Sequence, residues 1–339
     1  MRRAVKCLGL VILGLTMAGM TAWGAGALYF AEPGGPTVRQ ALAIALGVAG
    51  LVSVIALFFR RRRWLAVLAY AGILALLAGW WSTITPSNDR VWQPDVAVLP
   101  SATIQGDLIT VHNIRNFDYR TETDFTPRYY DRTFDLRRLN RVDLVAAYWM
   151  GPAIAHLFLT FDFGGDHLAI SIEARKEQGE GYSSLGGFFR QYELIYIVGD
   201  ERDLIRLRTN YRKDPPEDVY LFRVHAPIEN GRRVFLEYIQ AINDLQKRPK
   251  FYNTLTTNCT NVILVHSRVN PGHLRYTWKI LLSGYTPEAM YEAGRLDRSL
   301  SFEELKHRSL INAAARAADQ APDFSRLIRV GSPGQGGGE

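Results

Sequence analysis

Three long apolar runs occupy the first quarter of the chain, and they constrain its fold more than any other feature. Residues 7–28, 40–59 and 64–81 contain no Asp, Glu, Lys or Arg. Each run is long enough to cross the hydrocarbon core of a bilayer as an α-helix. The sequence therefore predicts three transmembrane helices within residues 1–84.

Basic residues set the expected orientation of these helices. One cluster, Arg2–Lys6, precedes the first run, and a second, Arg60–Arg63, separates the second run from the third. Basic flanks of membrane helices stay on the cytoplasmic side, so everything after Trp81 should lie outside the cytoplasm. A signal peptide cleaved near Gly24–Ala27 is the alternative interpretation of the first run, and it also leaves the rest of the chain outside.

The net charge does not indicate a nucleic-acid partner. The formal charge is +7, and residues 1–84 supply all of it, because the rest of the chain holds 32 basic and 32 acidic residues. A basic excess confined to the flanks of membrane helices is explained by topology, whereas a phosphate-binding surface would need it on the folded domain. We therefore expect no nucleic acid among the partners.

The composition changes after the third run. Residues 85–102 are rich in proline and are predicted to be a linker. Residues 103–321 alternate short strand-like and helix-like segments, which indicates an α+β domain. Within it, residues 179–187 are predicted to be a flexible loop. Residues 322–339 end in a Gly-rich stretch and are predicted to be a flexible tail.

A hairpin is the clearest predicted element of this domain. Ala155–Phe163 and His167–Arg175 both have the apolar alternation of a strand, and glycines separate them. If Phe161 pairs with Leu168, the register of the whole hairpin follows, because a strand cannot slip by one residue without turning its apolar side chains outward. An antiparallel sheet is expected around this hairpin.

Cys259 is the strongest candidate for a functional side chain. It follows Asn258, a favourable helix N-cap residue, and precedes the apolar run Val262–Val265, so it should lie in the first turn of a short helix. The unpaired amides and the helix dipole favour a thiolate there. The only other cysteine, Cys7, lies in the first apolar run. A lone thiol of this kind is a candidate nucleophile, and an inert buried cysteine is the alternative.

A histidine of the hairpin is the expected base for this thiol. In the predicted register His156 faces Glu173, and a carboxylate beside an imidazole fixes its tautomer and stabilises the imidazolium. Ser171 is a further candidate for orienting the ring. His167, next to the turn, is the runner-up base. Neither histidine has the neighbouring ligands of a zinc site, so no metal and no other cofactor are expected.

These residues predict acyl transfer through a thioester. Cys259 would attack an ester or amide carbonyl, His156 would take and return the proton, and Glu173 would hold the imidazole. The backbone amides at Cys259 or Thr260 are the expected oxyanion donors, with Asn258 first a cap and secondarily a donor.

Several motifs resemble one known family, and they occur in the same order. They are Asn113–Arg120, Asp124–Pro127, the run from His156 to Glu177, Gly187–Tyr196, Leu207–Arg212 and Tyr252–Thr260. Together they resemble the DUF4105 family, also called the Lnb N-terminal periplasmic domain, over residues 105–300. That family is similar to the circularly permuted papain-like folds of the NlpC/P60 superfamily, in which the histidine strand precedes the cysteine helix.

The resemblance implies a substrate and a location as well as a fold. Because the family includes a bacterial lipoprotein N-acyltransferase, it implies transfer of an acyl chain from a phospholipid to the amino-terminal cysteine of a lipoprotein. With the predicted helices, it implies a multi-pass protein of the bacterial inner membrane whose catalytic domain is periplasmic.

Two other functions remain open on the sequence. One is a cell-wall peptidase or amidase of the NlpC/P60 type, which would need a polar groove and no lipid. The other is a non-catalytic, membrane-tethered binding domain, in which Cys259 and His156 would not be in contact. An unpaired thiol in an oxidising compartment argues against the binding domain.

Overall fold

The structure is a computed structural model that describes residues 2–31 and 34–334. The chain divides into two compact units. The first comprises residues up to Ser87 together with Gly181–Glu193 and Phe251–Thr254, and the second comprises the remainder.

Long helices form most of the first unit. Within the described residues they are α1 (Arg2–Phe30), α2 (Pro36–Ala56) and α3 (Arg63–Thr83), and by length and composition each can cross a membrane. Small residues let α1 and α2 approach closely, as in many membrane helix pairs. A Cβ on Gly50 would lie 2.6 Å from Cγ2 of Thr21. The three predicted apolar helices are therefore confirmed.

A mixed sheet organises the second unit. Its strands are β1 (Ser101–Gln105), β2 (Leu108–Arg115), β5 (Tyr129–Asp135), β6 (Arg141–Tyr148), β7 (Ala155–Asp162), β8 (His167–Arg175), β9 (Glu193–Gly199) and β10 (Asp218–Arg223), and a separate pair is β3 (Asp118–Tyr119) with β4 (Phe125–Thr126). In the described residues the order across the sheet is β1-β2-β9-β8-β7-β6-β10, with β5 also pairing with β2. The pairs β1–β2, β2–β5, β6–β7, β7–β8 and β6–β10 are antiparallel, and Arg115 on β2 meets Gly199 on β9 in parallel.

Helices complete this α+β unit. They are α4 (Glu201–Arg206), α5 (Ile228–Lys247), α6 (Cys259–Ser267), α7 (Trp278–Leu281), α8 (Thr286–Glu292), α9 (Phe302–Arg308), α10 (Asn312–Ala317) and α11 (Phe324–Leu327). A π-helical turn, Leu207–Tyr211, follows α4 directly.

The predicted hairpin register is confirmed. Phe161 on β7 pairs with Leu168 on β8, and the pairing continues to Leu159 and Ile170. The register places His156 and Glu173 at opposing positions of the two strands. The alternating side chains of β7 then point to opposite faces of the sheet.

Both faces of the sheet are covered. On one face, Phe161 packs edge-on against Phe235 and Tyr238 of α5, with ring centroids 5.1 and 6.1 Å apart. On the other face, Phe158 belongs to a core that includes Ile205 of α4 and Phe324 of α11. Every residue of β7 is buried, which is why this strand is apolar almost throughout.

Two stretches are better ordered than the sequence suggested. Trp92 and Val96, in the predicted linker 85–102, are buried in the core of the second unit. The guanidinium of Arg175 lies 4.1 Å from the centre of the Trp92 ring. A run of prolines and polar residues hides this packing, because a few side chains, Trp92, Val96 and Leu99, carry it.

The prediction of a flexible tail over residues 322–339 is also partly wrong. Its described part forms α11, and Arg329 is buried against Asp143 and Glu201 at 3.0 and 2.6 Å. Residues 335–339 lie outside the described residues. The Gly-rich end of the chain suggested flexibility, although α11 and Arg329 just before it are packed on the second unit.

Candidate active site

Cys259 is the first residue of α6, as predicted. Asn258 caps the helix, because its side-chain oxygen accepts a hydrogen bond from the backbone N–H of Asn261 at 2.8 Å. The backbone N–H groups in the first turn of a helix have no carbonyl partner within the helix. Cys259 is partly exposed, so its sulfur combines the positive end of a helix with access from outside.

His156 lies beside this thiol on β7. Its side chain is buried, and the imidazole lies close enough to the sulfur of Cys259 for each group to shift the pKa of the other. Nε2 of His156 lies 2.7 Å from Oγ of Ser171 and 3.0 Å from Oε1 of Glu173. Since Nε2 faces β8, Nδ1 is the nitrogen left to face the thiol.

The backbone of β7 also contacts the sulfur. The N–H of Leu157 donates a hydrogen bond to Cys259. The pairing of β7 with β8 runs from Asp162 and His167 to Leu159 and Ile170, so Leu157 lies beyond the paired part of that ladder. The strand therefore supplies both an imidazole and an amide to one sulfur atom.

The electrostatics of the pair favour a thiolate and an imidazolium. Burial opposes a charge on His156, but the carboxylate of Glu173 and the sulfur of Cys259 outweigh it and raise the pKa of His156 to about 9. Burial likewise opposes the thiolate, but His156 and the hydrogen bonds from Leu157 and Thr260 lower the pKa of Cys259. Because the two groups titrate together, the charge separation belongs to the pair rather than to either residue.

Glu173 is also held by an arginine that the sequence analysis missed. Nη2 of Arg208 lies 3.0 Å from Oε1 of Glu173. Burial alone would raise the pKa of Glu173, but His156 and Arg208 hold it well below its usual value. The carboxylate therefore stays ionised beside the imidazole.

Arg208 is itself fixed by a second acid. Its Nη1 lies 3.1 Å from Glu217, which also accepts from Arg212 at 2.7 Å. Arg208 comes from the π-helical turn after α4, and only the family motif Leu207–Arg212 pointed to it. No periodicity predicts such a turn, so its side-chain directions were not readable.

The structure does not bring all the predicted residues together. Ser171, a secondary candidate, is fully buried and donates to Glu173 at 2.7 Å, so it bridges the imidazole and the carboxylate. His167, the runner-up base, lies at the turn with Nε2 3.7 Å from Asp162. It is six residues before Glu173 on β8, roughly 20 Å along an extended strand, so it is not part of this cluster.

The predicted oxyanion residues have structural tasks as well. Asn258 uses its side-chain oxygen as the helix cap, as noted above. Thr260 is buried, with its hydroxyl oxygen 3.8 Å from the sulfur of Cys259. Over residues 2–31 and 34–334, no group of three or more His, Cys, Asp or Glu side chains is arranged to hold a metal ion.

An apolar cavity of about 190 Å³ adjoins the cluster. Leu157 and Thr260 line it, and these two residues also contact the sulfur of Cys259. Further apolar side chains in its wall are Leu144, Leu159, Val234, Ile263, Leu264, Ile280 and Met290. For scale, a dry apolar cavity of about 150 Å³ is large enough to bind benzene.

Comparison with known proteins gives one match. Residues 125–284 match the family model described as the Lnb N-terminal periplasmic domain. The matched region contains Cys259, His156, Ser171, Glu173 and Arg208. No curated protein and no solved structure matches the chain. Three apolar helices followed by a region similar to the Lnb N-terminal periplasmic domain fit a membrane-anchored protein with a periplasmic domain.

Proposed function

We propose that this chain is a membrane-anchored thiol acyltransferase that works through a thioester on Cys259. The observation that carries the proposal is the contact between Cys259, in the first turn of α6, and His156, whose other nitrogen is held by Ser171 and Glu173. A nucleophile, a base and an oriented carboxylate are the three parts of a nucleophilic triad. The order of histidine strand before cysteine helix is that of a permuted papain-like domain.

The first half of the reaction loads the acyl group onto sulfur. The thiolate of Cys259 attacks the ester carbonyl carbon of a phospholipid, and the backbone amides of the first turn of α6, at Cys259 or Thr260, stabilise the oxyanion. The carbon–oxygen bond of the ester breaks, and the imidazolium of His156 donates its proton to the departing lysophospholipid oxygen. The product is a thioester and a neutral imidazole.

The second half passes the acyl group to an amine. The amino group of an acceptor attacks the thioester carbonyl, His156 takes its proton, and the carbon–sulfur bond breaks to regenerate the thiolate. An acceptor such as the amino-terminal cysteine of a lipoprotein suits a periplasmic domain anchored in a membrane. The site then returns to the ion pair with which it began.

The neighbouring cavity favours a lipid donor over a peptide. Its wall is mainly apolar and begins at the two residues that contact the sulfur, so an acyl chain lying in it would present its carbonyl near Cys259. A cell-wall peptide would instead need polar partners along its backbone.

The proposed location of this reaction is the inner membrane, with the domain on the periplasmic side, and the three apolar helices support it. A direct assay uses the full chain in phospholipid vesicles together with a peptide bearing a lipidated amino-terminal cysteine. The expected product is the N-acylated peptide with an equal amount of lysophospholipid. Cleavage of a cell-wall peptide without transfer of an acyl chain would instead assign the site to an NlpC/P60-type hydrolase.

A further inference from the structure

One loop of the first unit, Gly181–Glu193, is built as a rigid element. The hydroxyl of Tyr192 accepts from the N–H of Ser183 at 2.8 Å and donates to the carbonyl of Gly181 at 2.7 Å. The hydroxyl of Thr254 donates to the carbonyl of Ser184 at 2.7 Å. The flexible loop predicted for residues 179–187 is therefore largely an ordered one, and we call Gly181–Glu193 the interface loop.

The interface loop packs against the end of α1. The ring of Phe189 stacks on Phe30, with centroids 5.5 Å apart and planes 8° from parallel. The same ring covers the backbone of Gly26, where a Cβ would lie 2.5 Å from Cζ of Phe189. Gly26 lies four residues before the last residue of α1, so the loop reaches about 6 Å down the helix from its end.

The loop also caps the end of α3. Nη1 of Arg190 donates to the carbonyls of Trp81 and Ile84 at 2.8 and 3.1 Å. Trp81 lies in the last turn of α3 and Ile84 is its C-cap, a region in which the carbonyls lack the usual donor four residues later. The guanidinium of Arg190 lies 4.6 Å from the centre of the Trp81 ring. The loop is thus held at the ends of two membrane-spanning helices.

Aromatic side chains surround the loop at this depth. Trp23 and Trp81 pack edge to face with centroids 5.3 Å apart, and Tyr29 and Phe30 lie 4.9 Å apart. Tryptophan and tyrosine concentrate where membrane helices cross the boundary between acyl chains and head groups. The loop therefore lies at the level of a membrane interface.

Its outward face is apolar. Tyr182, Leu185 and Phe188 are 52%, 62% and 40% exposed. They recur every third residue, and the loop contains a 3-10 turn at Gly186–Phe188, in which side chains three apart lie on one side. Residues 181–189 include no charged side chain. Water is an unfavourable neighbour for such a face, whereas the acyl region of a bilayer is not.

We propose that the interface loop inserts Tyr182, Leu185 and Phe188 into the outer leaflet of the membrane that α1–α3 cross. Phe189 and Arg190 lock the loop to α1 and α3, so the depth of the three side chains is fixed by the helices themselves. The occupant of this face is lipid. The inference does not depend on the chemistry proposed for Cys259.

Membrane binding itself cannot test the proposal, because α1–α3 anchor the chain with or without the loop. Depth can. In a Cys7→Ala, Cys259→Ala background, single cysteines are introduced as Leu185→Cys, Leu76→Cys or Val330→Cys and labelled with an environment-sensitive fluorophore. The full chain is reconstituted into phosphatidylcholine–phosphatidylglycerol vesicles that contain phospholipids with a nitroxide near the top or near the end of the acyl chain.

The two controls bracket the result. Leu76 is an exposed residue of α3, and its label should be quenched by lipid nitroxides. Val330 is 67% exposed on the second unit, beside charged residues such as Arg326, and its label should not be quenched. The label at position 185 should lose emission as the Leu76 label does, more strongly with the upper nitroxide than with the lower one.

Two outcomes would overturn the proposal. Quenching at position 185 no stronger than at position 330 would place the loop in water. Weak quenching by lipid nitroxides together with protection from aqueous iodide would show that protein, such as a second copy of the chain, covers the face instead of lipid. Each label replaces an exposed side chain, so neither outcome reduces to misfolding.

Discussion

Oε1 of Glu173 lies 3.0 Å from Nε2 of His156, across the hairpin of β7 and β8. Ser171, two residues earlier on β8, contacts both groups from the same face of the sheet. The imidazole is therefore oriented by one strand and meets the sulfur of Cys259 from the other side.

An ordinary cysteine thiol has a pKa of about 8.5. The thiol of Cys259 should react with an alkylating agent well below that pH. His156 and the amide of Leu157 stabilise the thiolate. In a His156→Ala variant the midpoint of the pH profile should rise, because the main counter-charge is gone. The measurement is the rate of iodoacetamide labelling against pH.

Cys259→Ala provides the blank for this experiment, since Cys7 is the other cysteine and lies within the span of α1. A folded His156→Ala protein with an unchanged profile would remove the Cys–His pair from the account. Cys259 would then be an ordinary structural cysteine.

Turnover should fall as the pH rises through about 9, because His156 loses the proton that it gives to the leaving group. Replacing Glu173 by Gln removes the negative charge that raises this pKa, so the alkaline limb should move to lower pH. The rate at neutral pH should fall less than in His156→Ala, since an amide still holds the ring. The readout is kcat/KM against pH, and an alkaline limb that stays in place would contradict the role of Glu173.

Ser171→Ala should reduce turnover modestly without moving the pH profile far. The change deletes the hydroxyl that bonds to Nε2 of His156 and to Oε1 of Glu173, and it leaves the direct contact between these two groups in place. A bond of this kind contributes about 1 kcal/mol, equivalent to roughly fivefold in rate. A loss as large as that of His156→Ala would show that Ser171 does more than orient the ring.

Arg329→Met should destabilise the domain on the order of 3 kcal/mol, because it strands Asp143 and Glu201 as buried carboxylates. Burial opposes ionisation of Glu201, but Arg329 lowers its pKa to about 2. That stabilisation is present above the unfolded pKa and disappears as the pH falls toward 2.

Arg326→Met is the matched control three residues away. Its side chain is 68% exposed and pairs with Asp323 on the surface, so its loss should change the melting temperature little. Thermal unfolding of both variants at pH 7 checks the prediction. Equal melting temperatures for the two would mean that the tail is not an anchor.

Local rules predicted the core of the candidate site well. Asn258 was predicted as a cap from its residue type and position, and the structure has it there. The facing of His156 and Glu173 followed from one assumed pair, Phe161 with Leu168. Both inferences depend on a few neighbouring residues, for which the physics is simple.

The features of the fold and the site that were not predicted depend on contacts between residues distant in sequence. Arg208 reaches Glu173 from a π-helical turn that no pattern announces. Trp92 and Arg329 anchor two segments that were predicted to be a linker and a flexible tail because of their prolines and glycines. In each case a few buried side chains carry the packing. The composition of the whole segment does not reveal them, because it averages over many residues.

Residues after α3 should lie outside the cytoplasm, because the arginines at 60–63 keep the loop between α2 and α3 inside. Alkaline phosphatase fused after Ser87 should therefore be active, since it needs an oxidising compartment for its disulfides. A reporter that folds only in the cytoplasm should be inactive at the same position. The reverse pair of results would contradict the topology.

Mass spectrometry of the full chain after incubation with a phospholipid can detect the proposed thioester on Cys259. We expect a mass increase equal to one acyl chain, located on Cys259 by peptide mapping and removed by neutral hydroxylamine. Cys259→Ala should show none, and His156→Ala should accumulate it slowly. A folded wild-type protein whose Cys259 is readily alkylated yet never carries an acyl group would contradict the account.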